Sequence, residues 1–129
     1  MTMSKVLNVV GTRPEVIKLA PVIRRLRRER GFQVRICATG QHRGMLDAML
    51  RVFGLRAHID LDLMRPGQTP SAVLQRTLRG MDRVLARERP DIVLVQGDTT
   101  TALGEALRRW ASRRKPRRAR SSARPAGSR

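Results

Sequence analysis

The chain alternates short apolar runs with longer stretches in which apolar residues recur at helical spacing. Strands are predicted at four runs, 5–10, 33–38, 58–63 and 91–95. Each run is followed by a pattern typical of an amphipathic helix, beginning at Pro14, at 42, near Thr69 or Ser71, and at 99. Short connections between such elements imply right-handed crossovers. The sequence therefore predicts an α/β fold, a Rossmann-like, doubly wound parallel sheet with helices on both faces.

Glycine and proline mark the predicted ends of these helices. Gly31, Gly54 and Pro90 close the first three of them. Pro21 falls inside the first helical pattern, where proline removes a backbone donor and clashes with the preceding turn. We therefore expect a kink or a break at Pro21.

The chain is strongly basic, with 28 Lys and Arg against 10 Asp and Glu in 129 residues, a net charge of +18. Eight of the basic residues and no acidic one lie in residues 110–129. Two interpretations of this excess of positive charge stay open. One is a polyanion-binding surface. The other is the arginine bias of a GC-rich coding sequence, since 25 of the 28 are Arg. The chain has no tyrosine, no aromatic pattern of an RNA-binding sheet and no zinc-finger spacing.

Composition excludes several classes of protein. No window approaches the roughly 18–20 apolar residues of a membrane span, and the N-terminus lacks a basic region followed by a long apolar run. A single cysteine, Cys37, excludes an internal disulfide framework and a cysteine-based zinc site. We therefore expect a cytoplasmic protein without membrane contact, metal ion or cofactor.

The first candidate site is the loop GTRPE at 11–15, between the first strand and the first helix. In a doubly wound sheet, ligands bind beyond the carboxyl ends of the strands, and a helix N-terminus there offers free N–H groups to a phosphate. Arg13 is able to hold an anion by two hydrogen bonds, and Lys18 adds a second positive charge. The alternative for Arg13 is an ordinary surface charge. The loop is neither GxGxxG nor a Walker A motif, so it predicts neither a dinucleotide nor a simple nucleoside triphosphate.

Two further candidates follow the second and fourth strands. GDTTT at 97–101 places Asp98 and three hydroxyls at the same edge, although an Asp or Thr there is commonly only a helix cap. QHR at 41–43 brings His42 to a helix start, where a lone His is usually structural. Loops after the first, second and fourth strands border one crevice in such folds, and this convergence favours a shared site.

Three segments together resemble one known family. They are GTRPEVIKLAPVI at 11–23, TGQHRGMLD at 39–47 and PDIVLVQGDTTTAL at 90–103. Across about residues 4–109 the chain resembles, in order and register, the non-hydrolysing UDP-N-acetylglucosamine 2-epimerases. The resemblance implies two Rossmann-like domains of the glycosyltransferase-B type, an active site in the cleft between them, and usually a homodimer. It makes this chain an incomplete N-terminal domain.

The resemblance also implies a reaction, the interconversion of UDP-N-acetylglucosamine and UDP-N-acetylmannosamine. The C2 proton is removed and UDP leaves to give 2-acetamidoglucal, and UDP then returns to give the opposite-face product. This chemistry needs a base near C2 of the sugar, an acid on the opposite face of the sugar ring, and cations around the departing pyrophosphate. Arg13 and Lys18 match substrate-binding positions of the family. Asp98 matches the acidic residue implicated in substrate binding and catalysis.

Allosteric members of the family bind a second UDP-N-acetylglucosamine beside the substrate. Gln41 is retained in this chain and is the allosteric candidate. Gly44 and Gly67 stand where those members typically carry a Gln and an Arg. The resemblance therefore leaves allosteric activation open.

The resemblance stops near residue 110, where the composition changes to mainly Arg, Ser, Ala and Pro. We expect 1–109 to form a partial epimerase domain. We expect 110–129 to be a basic, disordered tail that binds polyanions non-specifically, the product of a reading frame lost near residue 110. Without a second domain no closed site forms, so we expect the chain to be inactive alone. The competing hypotheses are a small basic nucleic-acid-binding protein and a glycosyltransferase of the same fold superfamily.

Overall fold

The computed structural model describes residues 3–40, 43–63, 65–97, 104 and 108. Within them, strands and helices alternate in the order β1 (Ser4–Val10), α1 (Arg13–Arg28), β2 (Phe32–Ala38), α2 (Arg43–Val52), β3 (Ile59–Asp60), α3 (Pro70–Glu88) and β4 (Ile92–Leu94). Residues 104 and 108 are also helical. The rest of the helix predicted from residue 99 lies outside the described residues, as does the predicted tail at 110–129.

The strands form one parallel sheet in the order β3-β2-β1-β4. β1 pairs with β2 along its whole length, from Ser4 opposite Phe32 to Val10 opposite Ala38. On its other side β1 pairs with β4. The chain thus winds outward from β1 to β3 and then returns to the opposite side of β1. This reversal between β1 and β4 is the place where doubly wound sheets bind ligands.

Side chains of β1 alternate between two separate cores. Val10 packs against α1 and α2, whereas Val9 packs against α3. Successive side chains of a strand point to opposite faces, so α1 and α2 cover one face of the sheet and α3 covers the other. Burial of each large apolar side chain contributes about 1.5–3 kcal/mol. The prediction of an α/β parallel sheet with helices on both faces is confirmed.

Pro21 does not break α1. The helix runs from Arg13 to Arg28 with the proline inside it. Ala20 and Ile23, on either side, are buried in the core shared with α2. This packing holds both halves of the helix on the sheet, and it compensates for the free energy lost with the hydrogen bond that proline removes. The expectation of a break was therefore wrong.

The ends of α2 and α3 follow the predicted signals. Gly54 adopts a left-handed φ of 69° and closes α2 in a Schellman pattern of hydrogen bonds. Thr69 is the N-cap of α3, and its hydroxyl accepts a hydrogen bond from the N–H of Ala72 at 3.1 Å. α3 ends at Glu88, two residues before Pro90.

β3 is much shorter than the predicted strand at 58–63. It contains only Ile59 and Asp60, because Asp62 turns the chain with a φ of 47°. Gly40, with a φ of 86°, lies directly against this turn, and a Cβ at Gly40 would be 2.6 Å from the Cα of Asp62. A glycine at this position therefore lets the segment after β2 pack on the backbone that follows β3.

Helical residues beyond β4 pack closely on α3. A Cβ on Gly104 would be 3.0 Å from Cδ1 of Leu74 and 3.1 Å from Cγ2 of Thr77. One turn further on, Arg108 pairs with Asp82. The absence of a side chain at Gly104 allows this segment to approach α3 closely. The ion pair between Arg108 and Asp82 stabilises the edge of the same contact.

A charged network ties β1 and β2 to the end of α3. Glu88, only 7% exposed, accepts hydrogen bonds from Nε and Nη2 of Arg35, both at 3.1 Å. Nζ of Lys5 lies 2.8 Å from the same carboxylate and donates to the carbonyl oxygen of Glu88 at 2.7 Å. The hydrogen bond from Arg35 is the main reason that the pKa of Glu88 is lowered, against the opposing effect of burial. The carboxylate therefore stays ionised at neutral pH.

His58 joins β2 to the segment before β3. Nδ1 of its imidazole accepts a hydrogen bond from the backbone N–H of Ile36 at 2.9 Å. The backbone N–H of His58 in turn donates to the carbonyl oxygen of Ile36 at 2.8 Å. Partial burial, followed by the positive charges of Arg35 and Arg27, lowers the pKa of His58. The imidazole is therefore neutral, with its proton on Nε2.

Among the described residues, no helix combines the length and apolar character that crossing a bilayer requires.

Candidate functional site

The carboxyl ends of β1 and β4 meet at one edge of the sheet. The two strands are parallel neighbours, with Asn8 opposite Leu94. The loops that follow them, beginning at Gly11 and Val95, therefore leave the sheet side by side. The predicted neighbour relation between the first and fourth strands is confirmed. Asp98, the catalytic candidate of the second loop, lies outside the described residues, and its convergence with Arg13 stays a prediction.

The N-terminus of α1 is occupied by a side chain of the same helix. Glu15 is 4% exposed, and its Oε2 accepts hydrogen bonds from the N–H groups of Gly11 at 2.8 Å and Thr12 at 2.6 Å. We expected free N–H groups at this end of the helix for a phosphate. That expectation was wrong for Gly11 and Thr12, because the carboxylate of Glu15 already accepts from both.

Glu15 also faces the loop after β4. Gly97 has a φ of 97°, and a Cβ built on it would be 3.9 Å from both Cγ and Oε1 of Glu15. One buried carboxylate therefore lies between the two strand ends. The spacing Thr12-x-x-Glu15 is that of a capping box, a signal from which the role of Glu15 is readable in the sequence.

Arg13 and Lys18 are both exposed on α1. Five residues along a helix correspond to about 140° of rotation and about 7.5 Å of rise. Arg13 therefore lies at the helix start, beside Glu15, while Lys18 lies further along and on another side of the helix. Within the described residues neither cation forms an ion pair, so both charges are available to a ligand at the surface.

The end of β2 borders the same edge. Thr39 is fully buried, and its hydroxyl has no hydrogen-bond partner among the described residues. Its N–H donates to the carbonyl of Val10 at 3.0 Å, which ties the end of β2 to the end of β1. In the sequence this threonine stands out only as the first residue of the segment TGQHRGMLD at 39–47. Gln41, the allosteric candidate, and His42 lie outside the described residues.

The described residues contain no group of three or more His, Cys, Asp or Glu arranged to hold a metal ion. Two surface grooves, of about 240 and 560 Å³, lie along α1 and along α2. Neither is lined by Arg13, Glu15, Lys18 or Gly97. Within the described residues, the candidate site is the edge of the sheet where two strand loops begin, with the buried carboxylate of Glu15 beneath it and the exposed Arg13 and Lys18 on two sides of α1.

Comparison with known proteins identifies the family. The family model described as UDP-N-acetylglucosamine 2-epimerase matches residues 24–113. The UDP-N-acetylglucosamine 2-epimerase of Yersinia pestis is 50% identical over 103 residues, which are 80% of this chain and 27% of that protein. The enzyme of the same name from Escherichia coli K12 is 47% identical over 103 residues, again 80% of this chain and 27% of that protein.

Solved structures agree with the sequence matches. The epimerase from Neisseria meningitidis bound to UDP-GlcNAc superposes with a TM-score of 0.80 at 41% identity, covering 84% of this chain and 30% of that one. The Methanocaldococcus jannaschii enzyme in complex with UDP-GlcNAc and UDP gives a TM-score of 0.78 at 33% identity, with the same coverage.

The chain spans only about 28% of the length of the curated relatives that it matches. Its matched part is an α/β parallel sheet of the glycosyltransferase-B type found in those structures. With a family model matching most of its length and relatives near 50% identity, the chain belongs to the UDP-N-acetylglucosamine 2-epimerase family.

Proposed function

We propose that this chain contributes one wall of a nucleotide-sugar site that interconverts UDP-N-acetylglucosamine and UDP-N-acetylmannosamine. The observation that carries the proposal is the meeting of the first and fourth strand loops around Glu15. It supports one ligand-binding edge that contains Arg13 and the residue after Gly97, which is Asp98. The solved relatives bound to UDP-GlcNAc and to UDP support the class of ligand.

In this proposal the two exposed cations of α1 act on the diphosphate. As UDP leaves, negative charge grows on the departing phosphate oxygen, and a fixed cation stabilises that charge more than it stabilises the ground state. The guanidinium of Arg13 is able to bind two phosphate oxygens at once. Lys18 adds a point charge further along the helix. Because Glu15 occupies the amides of Gly11 and Thr12, this part of the recognition falls to side chains.

Asp98 is proposed to act at the sugar, where it binds the substrate and takes part in proton transfer. Elimination of UDP requires removal of the C2 proton, and re-addition requires protonation from the opposite face. A carboxylate at the carboxyl edge, next to cations that hold the diphosphate, is suited to one of these steps. A cytoplasmic location and the homodimer implied for the full-length family complete the proposal, with Gln41 as the candidate residue for a second nucleotide-sugar site and allosteric activation left open.

We further propose that 1–109 is the folded unit, that 110–129 is a separate basic tail, and that the chain does not catalyse alone. The chain covers 27% of the length of the Yersinia pestis and Escherichia coli relatives, so most of the implied cleft is contributed by other sequence. At an open edge, water screens the cations, and electrostatic stabilisation of the transition state is correspondingly weak. An assay of the purified chain for UDP release or epimer formation is expected to match a heat-killed control. Turnover above that control would overturn this part of the proposal.

Nucleotide binding by the chain itself is tested by calorimetric titration with UDP, with uridine as the ligand that lacks phosphate. Replacement of Arg13 by alanine is expected to weaken UDP binding about tenfold or more, the loss of a charged hydrogen bond. The matched control is Arg24→Ala, an exposed arginine on the same helix. Equal losses in the two variants would show that only net charge attracts UDP, and the proposed site would be refuted.

Polyanion binding by 110–129 is tested separately, by comparing the full chain with residues 1–109 on duplex DNA at two salt concentrations. Eight positive charges without base readout are expected to give tail-dependent binding with a steep salt dependence and no sequence preference. Equal binding by the two proteins would contradict a role for the tail. Tail-dependent, sequence-specific binding with a shallow salt slope would instead favour a nucleic-acid-binding protein.

A further inference from the structure

Glu15 is a charged group in a nearly closed environment. With 4% of its surface exposed, its carboxylate has lost most of the water that would solvate it, and a buried charge is retained only where hydrogen bonds replace that water. Two of these bonds come from the backbone of the loop after β1, at 2.8 Å from Gly11 and 2.6 Å from Thr12. Hydrogen bonds of an N–H to a charged acceptor are among the stronger ones in proteins. Glu15 therefore fixes the path of this loop.

The same side chain lies beside the second loop. At Gly97 the position of a Cβ lies 3.9 Å from Oε1 and Cγ of Glu15, which is ordinary van der Waals distance. The φ of 97° at Gly97 is a conformation that L side chains rarely adopt. The backbone after β4 thus turns immediately beside the carboxylate, with no side chain of its own between them.

The positions of Thr12 and Gly97 in the sequence show why this arrangement matters for the candidate site. Thr12 directly precedes Arg13, and Gly97 directly precedes Asp98. One buried carboxylate therefore accepts a hydrogen bond from Thr12 and lies beside Gly97, and these two residues come just before the two candidate site residues. It joins two loops that are 82 residues apart in the chain, counted from Glu15 to Gly97.

We propose that Glu15 is a positioning residue, which sets the loop after β1 and the turn at Gly97 against each other and so orients the residues that follow them. The inference rests on the proposed function, because those residues are Arg13 and Asp98. A proton-transfer group has to lie within hydrogen-bond reach of its target, and a displacement of about 1 Å is enough to reduce a rate about a hundredfold. Glu15 acts through the two loops, and its carboxylate does not contact the ligand.

The positioning is tested in the 129-residue protein by NMR without ligand. The wild-type chain is expected to show a scalar coupling across the hydrogen bonds, between the amide nitrogens of Gly11 and Thr12 and the carboxylate carbon of Glu15. It is also expected to show a nuclear Overhauser effect between the α-protons of Gly97 and the γ-protons of Glu15. Absence of the Overhauser effect in the folded chain would overturn the proposal, and this measurement needs no variant.

The variant that removes the charge but keeps the shape is Glu15→Gln. Its control is Glu29→Gln, at the exposed C-cap residue of the same helix, which pairs with Arg25. In Glu15→Gln the amide resonances of Gly11, Thr12 and Gly97 are expected to shift, and exchange of the first two is expected to accelerate about tenfold. A purely structural role in stability would leave Gly97 unmoved in the folded state. Resonances of Gly97 that move no more than in Glu29→Gln would therefore refute the coupling of the two loops.

The effect on the ligand is measured as the affinity of each variant for UDP. Glu15→Gln is expected to bind UDP about tenfold more weakly than wild type, while Glu29→Gln binds as wild type does. Equal affinity in all three proteins would refute a positioning role at the site. Should the wild type bind no UDP, the proposed function of this chain fails, while the resonances of Gly97 still decide whether Glu15 joins the loops.

Discussion

Replacing Glu88 by alanine tests the main electrostatic contact of the fold. The change removes two hydrogen bonds from Arg35 and the ion pair with Lys5. Breaking a fully buried ion pair costs about 3–5 kcal/mol, whereas losing an exposed one costs about 0–1 kcal/mol. The carboxylate here is 7% exposed, but the side chains of Lys5 and Arg35 are 23% and 30% exposed, so water solvates the cations left behind. We therefore expect the free energy of unfolding to fall by about 2–3 kcal/mol.

Urea denaturation followed by circular dichroism at pH 7 measures this loss. With an m-value of about 1.5 kcal/mol/M, the midpoint for Glu88→Ala is expected to fall by roughly 1.3–2 M. Glu88→Gln is expected to lose about half as much, because neutral hydrogen bonds are roughly half as strong as charged ones. The control is Glu29→Ala, which removes an exposed pair with Arg25 on one helix and is expected to cost about 0.3–0.5 kcal/mol. Equal midpoints for Glu88→Ala and Glu29→Ala would refute the reasoning.

The network of Glu88, Arg35 and Lys5 also predicts how the free energy of unfolding changes at acid pH. The pKa of Glu88 is lower in the folded chain than in the unfolded one, so its contribution is complete above the unfolded pKa of about 4.3. It is lost as the pH falls through the lower folded pKa, where the carboxylate takes up a proton. Below about pH 4.3 the wild type is therefore expected to lose stability more steeply than Glu88→Gln. Parallel curves for the two proteins would contradict the assigned cause.

Five further substitutions test other contacts. Gly40→Ala is expected to cost about 3 kcal/mol, from a left-handed φ together with a backbone clash. Gly54→Ala has the strain without the clash and is expected to cost about 1 kcal/mol, as read from urea midpoints. Gly104→Ala is expected to lose about 1 kcal/mol, because overpacking outweighs the gain in helix propensity. A Cβ at Gly44 meets no atom within 4 Å, so Gly44→Ala is expected to raise the free energy of unfolding by about 0.5 kcal/mol. Equal effects of Gly44→Ala and Gly104→Ala would contradict the close packing at Gly104. For His58, a folded pKa below about 6.5 means that stability is lost as the pH falls from that value, and His58→Gln is expected to remove this loss between pH 7.5 and 5.

The sheet was predictable because the sequence pattern and the packing agree. The runs at β1, β2 and β4 are apolar and short, and the amphipathic stretches between them leave no arrangement other than helices on a parallel sheet. A break at Pro21 was a wrong alternative because a local rule was applied without the core that holds both halves of α1. The length of β3 was misjudged because the turn at Asp62 depends on its contact with Gly40, which is distant in the chain.

The candidate site was predictable only in part. Motifs and topology place Arg13 at the edge where β1 and β4 end. The role of Glu15 required distances, although the spacing from Thr12 carried a capping signal. That signal is local, whereas the proximity of Glu15 to Gly97 arises from the pairing of β1 with β4, and no pattern within either loop indicates it. The buried hydroxyl of Thr39 is likewise a property of packing, since a threonine at the end of a strand is exposed in one fold and buried in another.

The most direct test of the account is a chimera in which residues 4–109 of this chain replace the matching segment of the Escherichia coli enzyme, to which it is 47% identical. The assay is conversion of UDP-N-acetylglucosamine to UDP-N-acetylmannosamine, with Arg24→Ala as the control for net charge. The account predicts an active chimera, a loss of at least about a hundredfold in kcat/KM with Arg13→Ala, corresponding to about 2.7 kcal/mol, and little change with Arg24→Ala. A folded chimera that binds UDP but forms no epimer, or one in which Arg13→Ala is as active as Arg24→Ala, would contradict the claim that this edge forms part of the active site.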